Sequence, residues 1–418
     1  MAKIVLGVSG GIAAYKSCYL LRRLKEDGHD VKVVPTENSL EFVGKSTWQA
    51  LSGHRVQSNV FEDSERVNHV HIGRIAELVI VCPATADLIA RAAQGRAVDL
   101  LTNVLLTTSS PVIMVPAMHT EMFLHQSTQE NIATLRKRGV VVMNPAVGQL
   151  TGDEAGPGRL PAPEDILALV NAVLASPRIV ESLCAQDYSG CSVLVNAGGT
   201  HEQLDPVRFL GNSSSGKMGI SIARAAYQRG AWVTLVAANM LLPAPAGAQV
   251  VPVSTTNELL LAMRMHAPDA DFIIMAAAPA DFQPRDPTGK KIKKQGDGGI
   301  TLELVQTPDV LKDISASREG DQVVVGFAAE TVDSREELVF EGVRKLKRKG
   351  CNLMILNDVS GGEVFGADYN DAIIVSAEGV VAEIAASKDV VAHTILDEAF
   401  YAVPSNETAL NYAEGEDE

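Results

Sequence analysis

The chain has 418 residues, of which 46% are hydrophobic and 21% charged, and its formal net charge is −15. This length exceeds what one hydrophobic core usually supports, so it predicts two domains of roughly 200 residues each. An acidic surface repels nucleic-acid backbones and anionic lipid headgroups, so the charge argues against nucleic acid and membrane as partners.

The cysteines predict a protein from a reducing compartment. Five are present, Cys18, Cys82, Cys184, Cys191 and Cys351, and none forms a CxxC pair. An odd number at these spacings is atypical of a zinc site or a disulfide framework. The first residues run directly into a strand pattern, and the sequence has no apolar run long enough to span a bilayer. We therefore expect a cytoplasmic protein.

Short β-branched runs alternate with longer helical patterns along the whole chain, which is typical of parallel sheets covered by helices. In the first half we predict strands near residues 3–8, 31–35, 78–82, 112–115 and 140–143. The pattern changes at residues 176–190, where Ser176-Pro177 ends a helix. The predicted fold class is α/β, with two Rossmann-like, three-layer domains whose sheets are mostly parallel. We place them at residues 1–185 and 186–402, followed by an acidic, disordered tail at 403–418.

Each half opens with the same plan of strand, glycine turn, helix and second strand. The first turn is Ser9-Gly10-Gly11, and the second is Gly198-Gly199-Thr200, with its helix starting near Ser215. Glycines let a backbone approach a phosphate closely, and a helix N-terminus offers N–H groups to it. The plan therefore favours two phosphate-bearing ligands. The glycines alone leave open that these are ordinary turns of an α/β domain.

Three further segments of the first half follow predicted strands or turns. Cys82-Pro83-Ala84-Thr85-Ala86-Asp87 and Pro116-Ala117-Met118-His119 each follow a strand, and Gly152–Arg159 is glycine-rich. Ligands of open α/β sheets bind just past the carboxyl ends of strands, so the positions suit a binding site. His69 and His71 lie upstream, and they are either catalytic or a surface pair on a loop.

These motifs resemble the flavin-dependent half of the bifunctional phosphopantothenoylcysteine decarboxylase/phosphopantothenate–cysteine ligases. The resemblance implies a flavodoxin-like domain with bound FMN. The implied FMN contacts are Ser9, Gly10, Gly11, Ile12, Thr36, Thr85, Ala86, Asp87 and Ala117. The implied catalytic residues are His69, chosen over His71, and His119. The implied substrate contacts are Met118, Thr151, Gly152 and Arg159, the last two bounding a flap that closes over substrate.

Two residues depart from the pattern of this family. His119 stands where many members have asparagine, and Thr151 stands where many have a proton-donating cysteine. A threonine hydroxyl is far less acidic than a thiol, so it cannot simply replace that donor. We predict an active decarboxylase whose proton comes from His119, Asp153 or Glu154. The alternative is an active ligase fused to an impaired or regulatory flavin domain.

The second half contains a run of an amide, hydroxyls and a glycine ahead of a helix, from Asn212 to Gly219. Such a loop can cradle phosphates, although its serines would also cap the helix in any protein. The segment Lys290-Lys291-Ile292-Lys293-Lys294 concentrates positive charge within an acidic protein. Like charges this close cost free energy unless an anion joins them, so the segment predicts a phosphate site rather than a solvated loop.

This half resembles the ligase half of the same family, which argues against a stand-alone flavin decarboxylase or flavin prenyltransferase. The implied reaction joins 4′-phosphopantothenate to CTP as an acyl-cytidylate, which the amine of L-cysteine then attacks. Lys291 would stabilise phosphate charge, Asn212 would hold the acyl-cytidylate, and Asp281 would hold the nucleoside. The other implied substrate contacts are Arg208, Ala276, Ala277, Thr307, Pro308, Asp309, Val310, Phe327, Lys345 and Lys349.

The resemblance also implies Mg²⁺ bridging the triphosphate, without indicating which residues bind the metal. It implies a homo-oligomer, with trimers formed through the flavin domain and dimers through the ligase domain, which together could close into a dodecamer.

Overall fold

A computed structural model describes residues 1–61, 67–149, 155–293, 299–332, 334–358 and 367–403. The chain divides into two compact units, which we call the first unit (residues 1–187 with Gln228–Gly230) and the second unit (Tyr188–Tyr227 with the chain from Ala231 onward). The predicted contacts Thr151 and Gly152, the proton-donor candidates Asp153 and Glu154, Lys294 and the tail from residue 404 lie outside the described residues.

The first unit is built on a five-stranded parallel sheet in the order β2-β1-β3-β4-β5. Strands β3 and β4 are buried along their whole length, as expected when helices cover both faces of a parallel sheet. The strands are β1 (Lys3–Val8), β2 (Asp30–Pro35), β3 (Leu78–Ala84), β4 (Val112–Pro116) and β5 (Val140–Val142), with a separate hairpin of β6 (Ala146–Gln149) and β7 (Ala155–Arg159). The helices are α1 (Ala14–Glu26), α2 (Lys45–Ser52), α3 (Asn68–Ile75), α4 (Ala86–Ala93), α5 (Leu100–Thr107), α6 (Thr120–Leu124), α7 (Gln126–Lys137), α8 (Pro163–Ala175) and α9 (Ile179–Ala185).

The second unit is built on an eight-stranded sheet in the order β12-β11-β8-β13-β16-β17-β18-β19. Its strands run parallel from β12 to β17, and β18 and β19 are antiparallel. The strands are β8 (Ser192–Gly198), β9 (His201–Asp205), β10 (Arg208–Gly211), β11 (Trp232–Ala238), β12 (Gln249–Val253), β13 (Phe272–Met275), β14 (Phe282–Pro284), β15 (Leu304–Gln306), β16 (Val323–Glu330), β17 (Leu353–Asp358), β18 (Tyr369–Ser376) and β19 (Gly379–Ser387). The helices are α10 (Lys217–Gln228), α11 (Thr256–His266), α12 (Val310–Ala316), α13 (Arg335–Lys349) and α14 (Lys388–Tyr401).

Two apolar clusters cover the two faces of this sheet. Val193 and Val195 of β8 belong to the cluster that contains residues of α10 and α14, and Leu194 belongs to the cluster that contains residues of α11, α12 and α13. Successive side chains of a strand point to opposite faces, so the helices form a layer on each side. Fully burying one such Val or Leu stabilises the fold by about 1.5–3 kcal/mol. The predicted α/β class with mostly parallel sheets is confirmed.

The structure adds elements that the sequence analysis did not predict. The pairs β6–β7, β9–β10 and β14–β15 are short antiparallel ribbons outside the main sheets. Each strand has only three to five residues, too few to show a periodic apolar pattern. Within the described part of the chain, no helix is both long and apolar enough to cross a bilayer.

We predict that Gly198→Ala destabilises the second unit because Gly198 has a φ of +91° and a Cβ there would collide with the Ala238 carbonyl oxygen. The cost should be about 2 kcal/mol or more. Hydrogen–deuterium exchange of β8 and β11 would measure it as lost protection. Gly190→Ala is the control, since Gly190 has a φ of +85° but nothing within 4 Å of the added carbon. Equal losses in both variants would show that the collision has no effect.

Candidate active sites

The predicted flavin contacts lie at one edge of the first sheet. Ser9-Gly10-Gly11 follows β1, Thr36 follows β2, Thr85 follows β3 and Ala117 follows β4. Because these strands are parallel neighbours, their carboxyl ends meet at the same edge. The strand order reverses between β1 and β3, which is where doubly wound sheets open a crevice for a ligand.

The Ser9 side chain joins two of these loops. Its hydroxyl donates to the Pro83 carbonyl oxygen at 2.8 Å and accepts from the Thr85 backbone N–H at 3.0 Å. Ser9 is buried, and its own N–H also donates to Pro83. Ser9 is one of the implied FMN contacts, and the proton of its hydroxyl is already donated within the protein. Ser9 therefore fixes the separation of the loops after β1 and β3.

The residues around this turn fit a phosphate-bearing flavin. A Cβ at Gly10 would lie 2.6 Å from Asn38 Cβ, so the backbone is packed too closely there for a side chain. The Thr36 hydroxyl is buried and has no hydrogen-bond partner among the described residues. The N-cap of α1, Ala13, gives no side-chain capping bond to the first turn of that helix. A ligand phosphate would satisfy these donors.

The remaining flavin candidates differ in their surroundings. The Ile12 side chain is exposed to solvent. Thr85 caps α4, and its hydroxyl accepts from Leu88 N–H. Asp87 is exposed and forms an ion pair with Arg91 at 2.9 Å, so its carboxylate is engaged at the surface.

The two histidines of α3 have different environments. His69 is half-buried, and its Nδ1 is buried with no partner among the described residues. His71 is exposed on the same helix. The carbonyl oxygen of His69 accepts from the Thr107 hydroxyl at 3.0 Å, which fixes its backbone. A buried, unpaired ring nitrogen suits a group that receives or delivers a proton.

The turn after β4 is held against the β6–β7 hairpin. Met118 N–H donates to the Gly158 carbonyl at 3.0 Å, and a Cβ at Gly158 would collide with the Met118 carbonyl oxygen. His119 is exposed at the start of α6, and Arg159 is exposed at the end of β7. Burial lowers the pKa of Lys16 on α1, and the positive charge of Arg159 lowers it further. Lys16, to which the sequence analysis gave no role, therefore lies near the predicted substrate arginine.

The second unit contains a cavity of about 640 Å³ at the carboxyl edge of its sheet. Most of the predicted substrate contacts of this unit line that cavity: Ala276, Ala277, Asp281, Thr307, Pro308, Asp309, Val310, Phe327, Lys345 and Lys349. They come from the segments that follow β13 and β15, from β16 itself and from α13. The cavity is also lined by Lys217, which lies in the predicted phosphate loop Asn212–Gly219 but had no role of its own, and by Asn370 and Lys388, which were not predicted.

A buried polar network holds the Ala280-Asp281 segment of this cavity. The Ala280 N–H donates to the Thr200 hydroxyl at 2.8 Å, and its carbonyl accepts from the Thr307 hydroxyl at 2.5 Å. The Thr200 hydroxyl lies 2.9 Å from that of Thr256, which donates to Glu202 at 2.8 Å. Hydroxyl and carboxylate groups this well buried need hydrogen-bond partners, and here each group is hydrogen-bonded to another member of the network.

Two lysines of α13 reach the cavity already paired with carboxylates. Lys345 contacts Glu330 at 2.7 Å, and Lys349 contacts Asp309. Burial alone would raise the pKa of Asp309, but the Lys349 ammonium and the Lys312 backbone N–H lower it overall. Asp309 therefore stays ionised and holds Lys349 at the cavity wall.

Three predicted residues do not line the cavity. Asn212 is exposed, and its side-chain N–H donates to the carbonyl of the lining residue Pro279 at 2.9 Å. Lys291 is exposed in the loop between β14 and β15. Arg208 lies beside that loop, because its guanidinium donates to the Ile292 carbonyl and to Asp205.

Asp205 anchors the loop between β14 and β15, which we call the lysine loop, to the β9–β10 ribbon. Its carboxylate accepts from Ile292 N–H at 3.0 Å, from Val207 N–H at 2.8 Å and from Arg208. Burial raises the pKa of Asp205, but these donors outweigh it and lower the pKa to about 2. The anchor is therefore present at neutral pH and is lost as the pH falls below about 4 towards 2.

Comparison with known proteins identifies relatives for both units. The flavoprotein family model matches residues 1–175, and the model for the C-terminal domain of the DNA/pantothenate metabolism flavoproteins matches residues 188–401. A Mycobacterium tuberculosis protein named coenzyme A biosynthesis bifunctional protein CoaBC is 48% identical over 94% of this chain and 95% of its own. A Vibrio vulnificus protein of the same name is 39% identical over 94% and 96%. A crystal structure of a CoaBC C-terminal domain is 31% identical, with a TM-score of 0.44 over 52% of this chain and 97% of its own.

We predict that Asp205→Asn loosens the lysine loop because an amide offers one acceptor oxygen and places N–H groups against existing donors. Tryptic cleavage after Lys290, Lys291 and Lys293 should accelerate about tenfold, since losing a hydrogen bond to a charged group costs about 1.5 kcal/mol. Asp286→Asn is the control, an exposed carboxylate of the same loop. Unchanged cleavage of the Asp205 variant would mean that the loop is held by other contacts.

Proposed function

This chain belongs to the family of coenzyme A biosynthesis bifunctional proteins, and we propose that its two units divide the two reactions of the family between them. The second unit ligates 4′-phosphopantothenate to L-cysteine with CTP, and the first unit decarboxylates the product to 4′-phosphopantetheine with FMN. The name shared by relatives that match nearly the whole chain supports two activities rather than a flavin domain with a regulatory role.

The ligase assignment is carried by one observation, the convergence of Asp281, Thr307–Val310, Phe327, Lys345 and Lys349 on a single cavity. Ammonium groups attract the triphosphate, and the carboxylates that pair with them keep them at the wall before the nucleotide arrives. Asp281 holds the nucleoside, and the carboxylate of 4′-phosphopantothenate attacks the α-phosphate. Pyrophosphate leaves, and the cysteine amine then displaces CMP.

Asn212 and Lys291 act on this reaction from the rim. The bond from Asn212 to Pro279 places its amide beside the lining segment, where it can hold the acyl-cytidylate. Lys291 stabilises phosphate charge when the lysine loop approaches the cavity, and Arg208 supports that loop through Ile292. Magnesium enters with the triphosphate. Among the described residues, Asp281 and Asp309 are the carboxylates that line the cavity, and Asp309 is already paired with Lys349.

In the first unit, Thr36 and the backbone of Gly10 and Gly11 hold the FMN phosphate, with Ile12, Thr85, Ala86, Asp87 and Ala117 around the rest of the cofactor. FMN supplies the two-electron redox chemistry that lets the carboxylate leave as carbon dioxide. His69 orients the substrate or takes its proton, and Lys16 with Arg159 binds its negative charge. Met118 and the β6–β7 hairpin exclude water.

His119 delivers the final proton. It is exposed and directly follows Met118 in the turn after β4. This assignment keeps the first unit active although Thr151 stands at the position of the usual thiol. The protein acts in the cytoplasm as a homo-oligomer, built from trimers of the first unit and dimers of the second. A coupled assay with 4′-phosphopantothenate, L-cysteine and CTP, following pyrophosphate and carbon dioxide separately, tests both activities.

We predict that Lys349→Ala raises the Kd for CTP about 10- to 100-fold, since a hydrogen bond to a charged group contributes about 1.5–3 kcal/mol. Calorimetric titration of the full chain measures this. Lys347→Ala removes the same charge from an exposed position of the same helix and should bind CTP normally. Equal weakening in both variants would indicate general electrostatics and contradict the assignment.

We predict that His69→Asn lowers carbon dioxide release at least about 100-fold, the usual effect of removing an acid–base group. The flavin spectrum of the purified variant should be unchanged, because the proposed FMN contacts are intact. His71→Asn, an exposed histidine two residues along α3, should retain the wild-type rate. If the two variants behave alike, or if His69→Asn is colourless, His69 does not have this role.

A further inference from the structure

Two helices of the second unit begin at the same corner of its cavity. Lys217 is the first residue of α10 and Lys388 is the first residue of α14, and both line the cavity. Asp389 joins the helices, because its carboxylate accepts from the Ser221 hydroxyl at 2.8 Å and from Arg224 at 3.0 Å. The two N-termini are therefore held side by side, and each contributes a positive partial charge.

Each of these helices carries a lysine in its first turn, and the first turn of α14 also contains Asp389. A lysine in the first turn opposes the helix dipole, and here two helices carry one at the same corner. Lys388 is buried, and its ammonium donates to the Ala367 carbonyl at 2.5 Å. Lys217 forms an ion pair of 2.6 Å with Asp368, whose side chain is 92% exposed. Burial lowers the pKa of Lys388, and the charge of Lys217 lowers it further. A corner of this composition is stabilised by an anion.

Asn370 gives an independent indication of a ligand at this corner. It is only 3% exposed and lines the cavity. Its side-chain N–H donates to Asn357 at 3.0 Å, and its Oδ1 has no partner among the described residues. A buried acceptor without a donor costs free energy, so it suits a ligand that carries a hydroxyl or N–H group.

We propose that Lys217, Lys388 and Asn370 form a subsite that binds the phosphate of a substrate and a neighbouring hydroxyl or N–H of the same molecule. The subsite rests on the proposed ligase function for the identity of that molecule. Two sources carry this chemistry, the triphosphate chain of CTP and the phosphate ester of 4′-phosphopantothenate. Lys388 is the specificity-determining residue, because it is the buried cation of the corner.

Binding to the full chain tests the subsite without relying on catalysis. Inorganic pyrophosphate and inorganic phosphate are titrated calorimetrically into the wild type, Lys388→Gln and Lys388→Arg. We expect Lys388→Gln to weaken binding of at least one anion about tenfold or more, and Lys388→Arg to retain it, since a hydrogen bond to a charged group contributes about 1.5–3 kcal/mol. Lys347→Gln is the control for loss of a distant charge, and it should bind both anions as the wild type does.

Steady-state kinetics then distinguish the two sources. A raised KM for CTP alone in Lys388→Gln assigns the corner to the triphosphate, and a raised KM for 4′-phosphopantothenate alone assigns it to the phosphate ester. Unchanged anion binding and unchanged KM values in Lys388→Gln would overturn the subsite. If Lys388→Gln fails to fold, Asn370→Ser is tested instead. Unaltered KM values for both substrates in Asn370→Ser would also overturn the subsite. If the wild type has no ligase activity but Lys388→Gln still loses anion binding, the subsite stands and the proposed function is rejected.

Discussion

Parallel pairing of β8 with its neighbours β11 and β13 is the constraint on which the second unit depends. It places the carboxyl ends of several strands at one edge, so segments distant in sequence reach the same cavity. Close packing of the helices on this sheet needs small residues at fixed points. Gly219 of α10 is one of them, since a Cβ there would lie 2.5 Å from that of Ala197 on β8. The same pairing in the first unit brings four loops to one crevice.

The sequence predicted those features that depend on local pattern. The strands of the first sheet begin and end within two residues of their predicted positions, because buried parallel strands are continuous apolar runs that are distinct from the helical patterns between them. Motifs predicted the cavity contacts Asp281, Thr307 and Lys349, which the fold of the second unit brings to one cavity.

The remaining site residues depend on side-chain contacts that no local pattern records. Lys388 is the first residue of α14, and the contacts of Asp389 with α10, together with apolar packing between the two helices, bring it beside Lys217. Nothing in the sequence distinguishes Asn370, because the missing partner of its Oδ1 among the described residues is apparent only in the structure. Ser9 was implied only as an FMN contact, and its hydroxyl donates a hydrogen bond to a carbonyl oxygen on a strand 74 positions away. Long-range hydrogen bonding of this kind becomes visible only in the folded chain.

The hydrogen bonds of Ala280 have a consequence for the thermodynamics of ligand binding in the cavity. Both backbone polar groups of this residue are satisfied by threonine hydroxyls, one of which continues into the buried contacts of Thr256 and Glu202. The segment beside Asp281 has thus already lost its conformational entropy when the chain folds. A ligand that binds there does not have to order this segment, so more of its interaction energy is expressed as affinity. The conformational entropy of this segment is therefore lost during folding, where burial of the hydrophobic core compensates for it.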